Sequence, residues 1–315
     1  MTDIRIVFMG TPDFAVGVLH KLVSSKQNVV GVITAPDRPS GRGRKLTPSA
    51  VKKYALEHDI PVLQPTNLKD SAFLDQLEGL QANLQIVVAF RMLPKAVWSM
   101  PALGTFNLHA SLLPAYRGAA PINWAIINQE KITGVTTFFI DEAIDTGAIL
   151  LSREVLISEN ETAGSLHDTL MEVGAELVLE TITQLAAGNL KATPQPLDGN
   201  FHEAPKLHPE NTRIDWSKPA EQIVAFIRGL SPYPAAWCQL SQGEETVSLK
   251  IYNAIAEIKE HSDEIGSLRA TKKEIKVAVT NGFVIITELQ LPGKKKMDAT
   301  SLLNGYTFKE DAKLS

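Results

Sequence analysis

Gly104-Thr105-Phe106-Asn107-Leu108-His109-Ala110-Ser111-Leu112-Leu113-Pro114-Ala115-Tyr116-Arg117-Gly118-Ala119-Ala120-Pro121 reads as a short strand, residues 105–108, running into a proline-bounded turn. Asn107 and His109 stand two residues apart at its end. A period of two puts both side chains on one side of a sheet. An amide donor beside an imidazole suits an oxygen on which negative charge develops. A hydrogen-bonded core histidine meets the same spacing, so the pair alone leaves both readings open.

Outward from that strand, short β-branched runs alternate with helical stretches. Strands are expected at 4–9, 29–34, 61–63, 85–89, 134–140 and 149–156, with helices at 14–23, 71–77, 95–99, 120–128 and 162–187. Thr47-Pro48 reads as an N-cap and first helical position for a further helix ending near Glu57. This alternation predicts an α/β, Rossmann-like, doubly wound, mostly parallel sheet with ligands at the strands' carboxyl ends. After Gly188 the texture changes. Pro194, Pro196, Pro205 and Pro209 mark a linker over 189–208. A helix at 219–228 and strands at 236–240, 247–255, 275–278 and 283–290 follow, spaced for a small OB-like β-barrel. The expected domains are therefore 1–188 and 209–315.

The 315 residues hold 44% hydrophobic and 21% charged side chains, which excludes long disorder. No apolar run exceeds five residues, so no segment spans a membrane, and Met1-Thr2-Asp3-Ile4-Arg5 is no secretory signal; a cytoplasmic location is expected. The single Cys238 excludes a disulfide framework, and the seven histidines have no metal-ligand spacing, so no metal is expected. The net charge of −4 argues against a polyanion binder acting through its whole field. Locally, however, Arg38, Arg42, Arg44, Lys45, Lys52 and Lys53 face only Asp37 between residues 36 and 53. Glycines alternating with arginines let such a loop bring guanidinium groups to phosphates or exposed bases; a solvated surface loop has the same composition.

Other motifs narrow the chemistry. Gly10-Thr11-Pro12-Asp13 lacks the second and third glycines of a dinucleotide fingerprint and reads as a plain strand-to-helix turn. Gly-x-Ser-x-Gly is absent, which removes a serine-hydrolase elbow. Asp141-Glu142-Ala143-Ile144-Asp145-Thr146-Gly147 follows the next strand, so Asp145 reaches the same sheet edge and either orients His109 or is a turn carboxylate. Lys294-Lys295-Lys296 follow Pro292-Gly293 in an exposed turn suited to gripping a polyanion backbone.

Together these residues resemble the methionyl-tRNA formyltransferase family, within the folate-dependent formyltransferase superfamily, over nearly the whole chain. The likeness runs through Gly10–Phe14, the basic loop at 34–48, Asn107…His109…Ser111–Pro114…Arg117–Pro121 and Asp141…Asp145-Thr146-Gly147. It continues through Ile214-Asp215-Trp216, Ile227-Arg228, Pro232-Tyr233-Pro234 and Trp237. The resemblance implies transfer of the formyl group of 10-formyltetrahydrofolate, a co-substrate, to the amine of initiator methionyl-tRNA for translation initiation. It implies a catalytic trio of Asn107, His109 and Asp145, with Ser111, Leu112, Leu113 and Pro114 against the folate. Ala89–Pro94, one residue shorter than the family's turn, is expected in the pterin pocket. Arg38, Arg42, Arg44 and Lys45, with Lys294, Lys295 and Lys296, are the expected tRNA contacts. No membrane and no obligate protein partner are expected. Two alternatives share part of this pattern. A nucleotide-amino-sugar formyltransferase would keep the trio without needing the arginine loop, and a non-catalytic RNA-binding protein would keep the loop without the trio.

Overall fold

The computed structural model describes residues 3–40, 45–196 and 198–315. They divide into two compact units, the first drawing its described residues from 3–118, 132–156 and 167–203, the second from 119–131, 157–166 and 204–315.

The first unit is built on a seven-stranded sheet. Its strands are β1 (Arg5–Gly10), β2 (Asn28–Ile33), β3 (Val62–Leu63), β4 (Leu84–Val88), β5 (Thr105–His109), β6 (Ile132–Phe139) and β7 (Ile149–Leu156). Their spatial order is β7-β6-β5-β4-β1-β2-β3. The five strands from β3 to β5 run parallel, and β6 and β7 add an antiparallel edge. From β1 the chain winds outward through β2 and β3, then crosses back to β4 and β5. The reversal lies between β1 and β4, where Gly10 pairs with Val88. Ligands in such sheets bind outside the carboxyl ends at this switch. His109 closes β5, the neighbour of β4, with Asn107 opposite Val87. Buried strands explain the continuous apolar runs: Phe8, Phe106 and Phe138 are fully buried or nearly so, each contributing about 1.5–3 kcal/mol.

The helices of this unit include α1 (Asp13–Ser24), α2 (Ala50–Glu57), α3 (Ser71–Gly79) and α4 (Lys95–Trp98). The turn from β1 into α1 is a packing turn. A Cβ on Gly10 would lie 2.5 Å from the Ala15 Cβ and 3.0 Å from the Val88 carbonyl oxygen. The start of α2 corrects the expectation of Thr47 as its cap. Ser49 is the N-cap, its hydroxyl accepting from Lys52 N at 3.0 Å. Thr47 instead ends a two-stranded antiparallel ribbon, Arg38–Ser40 with Lys45–Thr47.

In the second unit, α5 (Pro121–Ile127) and α7 (Ala220–Leu230) accompany an antiparallel sheet; α6 (Ala163–Ala186) contributes residues to both units. The sheet's strands are β8 (Ala236–Gln242), β9 (Glu245–Ile258), β10 (Leu268–Ala270), β11 (Ile275–Val279), β12 (Gly282–Gln290) and β13 (Lys313–Leu314), in the order β10-β11-β12-β9-β8-β13. Leu314 N donates to Gly266 O at 2.8 Å and Leu268 N to Ala312 O at 2.9 Å, which nearly closes the sheet into a barrel. Alternate residues of β8 and β9 point inward, and Ala236, Cys238, Leu240, Leu249 and Ile251 form the core with Ile223 and Ile227 of α7. Burial pushes the Cys238 thiol up to about 12, so it stays protonated.

The division is not the sequential one expected from the linker. Segments 119–131 and 157–166 belong with the barrel unit. Asn123 Nδ2 of α5 donates to Gly229 O of α7 at 2.7 Å, and Arg228 Nη1 donates to Glu161 O at 2.6 Å. Much of the expected linker is also not a free spacer. Thr193 exchanges two backbone hydrogen bonds of 2.8 Å with Ile149 at the start of β7.

Candidate active site

At the carboxyl edge of β5 the His109 ring is buried between two fixed oxygens. Its Nε2 lies 2.8 Å from Tyr116 O. A carbonyl only accepts, so Nε2 carries the proton, and in the neutral ring Nδ1 holds the lone pair. That Nδ1 faces the Asp145 carboxylate, with Oδ2 at 3.8 Å and both side chains largely buried. The Phe138 ring stands edge-on to the imidazole, 6.5 Å between centroids. Asn107, half-buried on the same side of β5, has no hydrogen-bond partner for its amide among the described residues. Both donors of that amide are therefore available to an arriving acceptor.

Two unusual backbones place these groups. Tyr116 has φ +60 and Asp145 φ +54, left-handed conformations that are uncommon outside glycine. Tyr116 N donates to His202 O at 2.6 Å, which holds its carbonyl on the imidazole. Gly118 N, at φ +123, donates to Asp145 Oδ2 at 3.0 Å. Gly147 is required by close approach, since a Cβ there would sit 1.7 Å from Phe139 O.

The Ser111–Pro114 turn is locked from within. Ser111 Oγ donates to Ala115 O at 2.7 Å, and Thr136 Oγ1 donates to Ser111 O at 2.7 Å while accepting from Leu113 N at 3.2 Å. Leu113-Pro114 is a cis peptide. Ser111 is fully buried and its hydroxyl is spent, so it shapes the turn, and Leu112 and Pro114 are its accessible members.

The turn at 89–94 holds Met92, 68% exposed, at the end of β4. Arg91 donates to Thr66 O at 3.0 Å and to Pro65 O, and lies over the Phe90 ring at 5.7 Å. Its guanidinium is pushed below its ordinary value by partial burial and then by the neighbouring Arg38. The ribbon's base is anchored at Asp37, which accepts from Gln64 Nε2 at 2.8 Å and Lys52 Nζ at 2.7 Å. The Gln64 bond and then the Lys52 ammonium hold its carboxyl below the usual range. Arg38 and Lys45 are exposed, while Arg42 and Arg44 lie outside the described residues. In the barrel unit Lys294, Lys295 and Lys296 are exposed on the expected turn; Lys296 pairs with Glu288 at 3.0 Å and lies over the Tyr252 ring at 5.3 Å.

Sequence reasoning missed Arg117 and Gln195 as a pair. Arg117 Nε and Nη2 donate to Gln195 Oε1 at 3.2 and 2.6 Å. Gln195 Nε2 donates to Asp145 O at 3.0 Å and Gly147 O at 2.8 Å. The only sequence signal is a glutamine between Pro194 and Pro196, which composition assigns to a linker.

Residues 4–182 match the model of the formyl transferase family, and residues 206–307 match that of the formyl transferase C-terminal domain. The chain belongs to the formyl transferase family. It is 57% identical over 314 residues to the methionyl-tRNA formyltransferase of Flavobacterium johnsoniae, covering 100% of both chains. It is 58% identical to that of Flavobacterium psychrophilum, covering 99% of each. Among solved structures, HypX from Aquifex aeolicus in complex with tetrahydrofolic acid aligns with a TM-score of 0.65 at 19% identity, over 96% of this chain and 47% of that one. WlaRD, a sugar 3N-formyl transferase, aligns with a TM-score of 0.62 at 20% identity, over 94% and 100% of the two chains. At such identity these structures establish the fold alone.

Proposed function

We propose that this formyl transferase moves the formyl group of 10-formyltetrahydrofolate to the free amine of methionyl-initiator-tRNA, readying that tRNA for translation initiation. The observation that carries the reading is the buried His109 imidazole facing the Asp145 carboxylate at the carboxyl edge of β5, with Asn107 two residues earlier on the same side of that strand. Full-length relatives at 57–58% identity bear the methionyl-tRNA formyltransferase name, which favours the tRNA over an amino-sugar nucleotide as acceptor.

The residues divide the work. Asn107 donates to the formyl oxygen as negative charge develops there, a donor typically worth about 3–4 kcal/mol. His109 keeps its Nε2 proton on Tyr116 O, so Nδ1 is the atom that receives the proton released by the attacking amine. The imidazolium so formed faces the Asp145 carboxylate at 3.8 Å, where opposite charge favours it. Nδ1 then returns the proton to the leaving nitrogen. Leu112 and Pro114 of the locked turn, with the 89–94 turn, offer a wall to the folate, and Ser111 and Leu113 hold that wall in shape. Arg38 and Lys45 contact the tRNA from the ribbon, Arg42 and Arg44 lie between them in the sequence and serve the same contact, and Lys294, Lys295 and Lys296 grip the tRNA backbone from the barrel.

The test is formyl transfer from 10-formyltetrahydrofolate to three acceptors: initiator Met-tRNA, elongator Met-tRNA and a nucleotide amino-sugar. Selective formylation of the initiator supports the reading, and transfer to the amino-sugar in its place overturns it.

A further inference from the structure

We propose that Gln195, clamped by Arg117, is the positioning residue that sets the catalytic carboxylate of Asp145. The inference rests on the reading of His109 and Asp145 given above.

Asp145 stands in the nine-residue loop 140–148 between β6 and β7 and adopts φ +54, a backbone that a non-glycine residue keeps only where its surroundings impose it. Its carboxylate is oriented by one bond, from Gly118 N. The backbone on either side of Thr146 is held by one side chain: Gln195 Nε2 spends both hydrogens on Asp145 O and Gly147 O. Those carbonyls lie two residues apart, so a single amide sets the curvature of the loop at the point where Asp145 turns toward His109.

The amide is itself fixed. Arg117 reaches Gln195 Oε1 with two nitrogens and Pro196 O with Nη2 at 3.4 Å, which determines which end of the amide meets the loop. Gln195 is 6% exposed. Arg117 directly precedes Gly118, so one short segment orients Asp145 twice, through the Gly118 amide and through Gln195. A glutamine fits this place better than its charged isostere. A carboxylate would accept from Arg117 equally well but has no hydrogens for the two carbonyls.

That asymmetry gives the experiment. Gln195→Glu keeps volume and gains a charge pair with Arg117; Gln195→Met keeps volume and loses all polar contacts. Both are compared with the parent full-length protein for melting temperature, kcat, and KM for Met-tRNA and the folate. If Gln195 only fills space or pairs with Arg117, Gln195→Glu retains activity. If it positions Asp145, both variants lose about 10²-fold in kcat, the usual cost of misplacing a catalytic group by about 1 Å, with both KM values within about twofold. Arg117→Met, acting through Gln195, adds no further loss to Gln195→Met in the double variant. Retention of kcat by Gln195→Glu, or a rise in KM at constant kcat, overturns the proposal. His109→Ala, run in parallel, separates the two claims. Loss of turnover there with full activity in the Gln195 variants refutes the positioning role alone, whereas full turnover in His109→Ala refutes the site on which it rests.

Discussion

The edge of β5 and the lysine turn at 292–296 are both polar, and they are built on opposite plans. At the β5 edge, Asp145 and Tyr116 sit in left-handed backbones, His109 is buried, and its flanking oxygens are held by further hydrogen bonds. On the turn, Gly293 takes φ +72 and three lysines stand exposed, of which Lys296 alone has an acidic partner among the described residues. Bond making tolerates displacements of a fraction of an ångström, so its groups are fixed from behind. A grip on phosphates needs charge within reach, and long mobile side chains supply it. Rigidity thus separates groups that act on a reacting bond from groups that hold a substrate.

The sharpest way to break this contrast is Asp145→Ala, expected to lower kcat by about 10²-fold or more with little change in tRNA affinity. Single-turnover formylation with a filter-binding Kd measures both, and near-normal turnover would remove Asp145 from the chemistry. Gly147→Ala comes next. Its Cβ meets Phe139 O at 1.7 Å, so the loop must shift, at a cost of about 1–3 kcal/mol. Thermal melting together with kcat should fall for this variant, while Gly293→Ala, which meets nothing within 4 Å, suffers only the milder strain of its positive φ. On the mobile side of the contrast, replacing Lys294, Lys295 and Lys296 with Ala should raise KM for every tRNA alike and leave kcat unchanged. The salt slope of binding should fall by about 2, because Lys296 is already engaged by Glu288; an unchanged slope makes the turn a solvated feature. The smallest effect is at the ribbon's base. Asp37 is held below its ordinary range, so the stability it supplies is present above the unfolded carboxyl's value of about 3.9 and lost as pH falls through the lower folded value. Gln64→Ala should therefore destabilise slightly at neutral pH, and its difference from the parent should shrink in strong acid to the part owed to the Gln64 bond to Ala35 O.

The sheet of the first unit was legible because buried parallel strands leave uninterrupted apolar runs rich in β-branched residues, as in Ile86-Val87-Val88 and Ile6-Val7-Phe8. Asn107 and His109 were legible because period two holds along any strand. The ribbon was not: Arg38–Ser40 and Lys45–Thr47 are three residues each, too short for alternation, and Thr47-Pro48 imitates a helix start. The closing strands Leu268–Ala270 and Lys313–Leu314 escaped for the same reason. Gln195 escaped because its role depends on two loops distant in sequence, whereas its neighbours Pro194 and Pro196 advertise a linker. Local pattern reveals elements, and contacts between loops stay hidden until the elements are placed.

The most direct test of the account is single-turnover formylation of initiator Met-tRNA at saturating 10-formyltetrahydrofolate by Asn107→Ala, His109→Ala and the double variant. Two groups acting on one transition state predict losses of about 10²–10³-fold for Asn107→Ala and at least as large for His109→Ala. The double variant should lose clearly less than the product of the two, with tRNA Kd unchanged throughout. Full turnover in either single variant, or losses that multiply, would contradict a shared site at the carboxyl edge of β5.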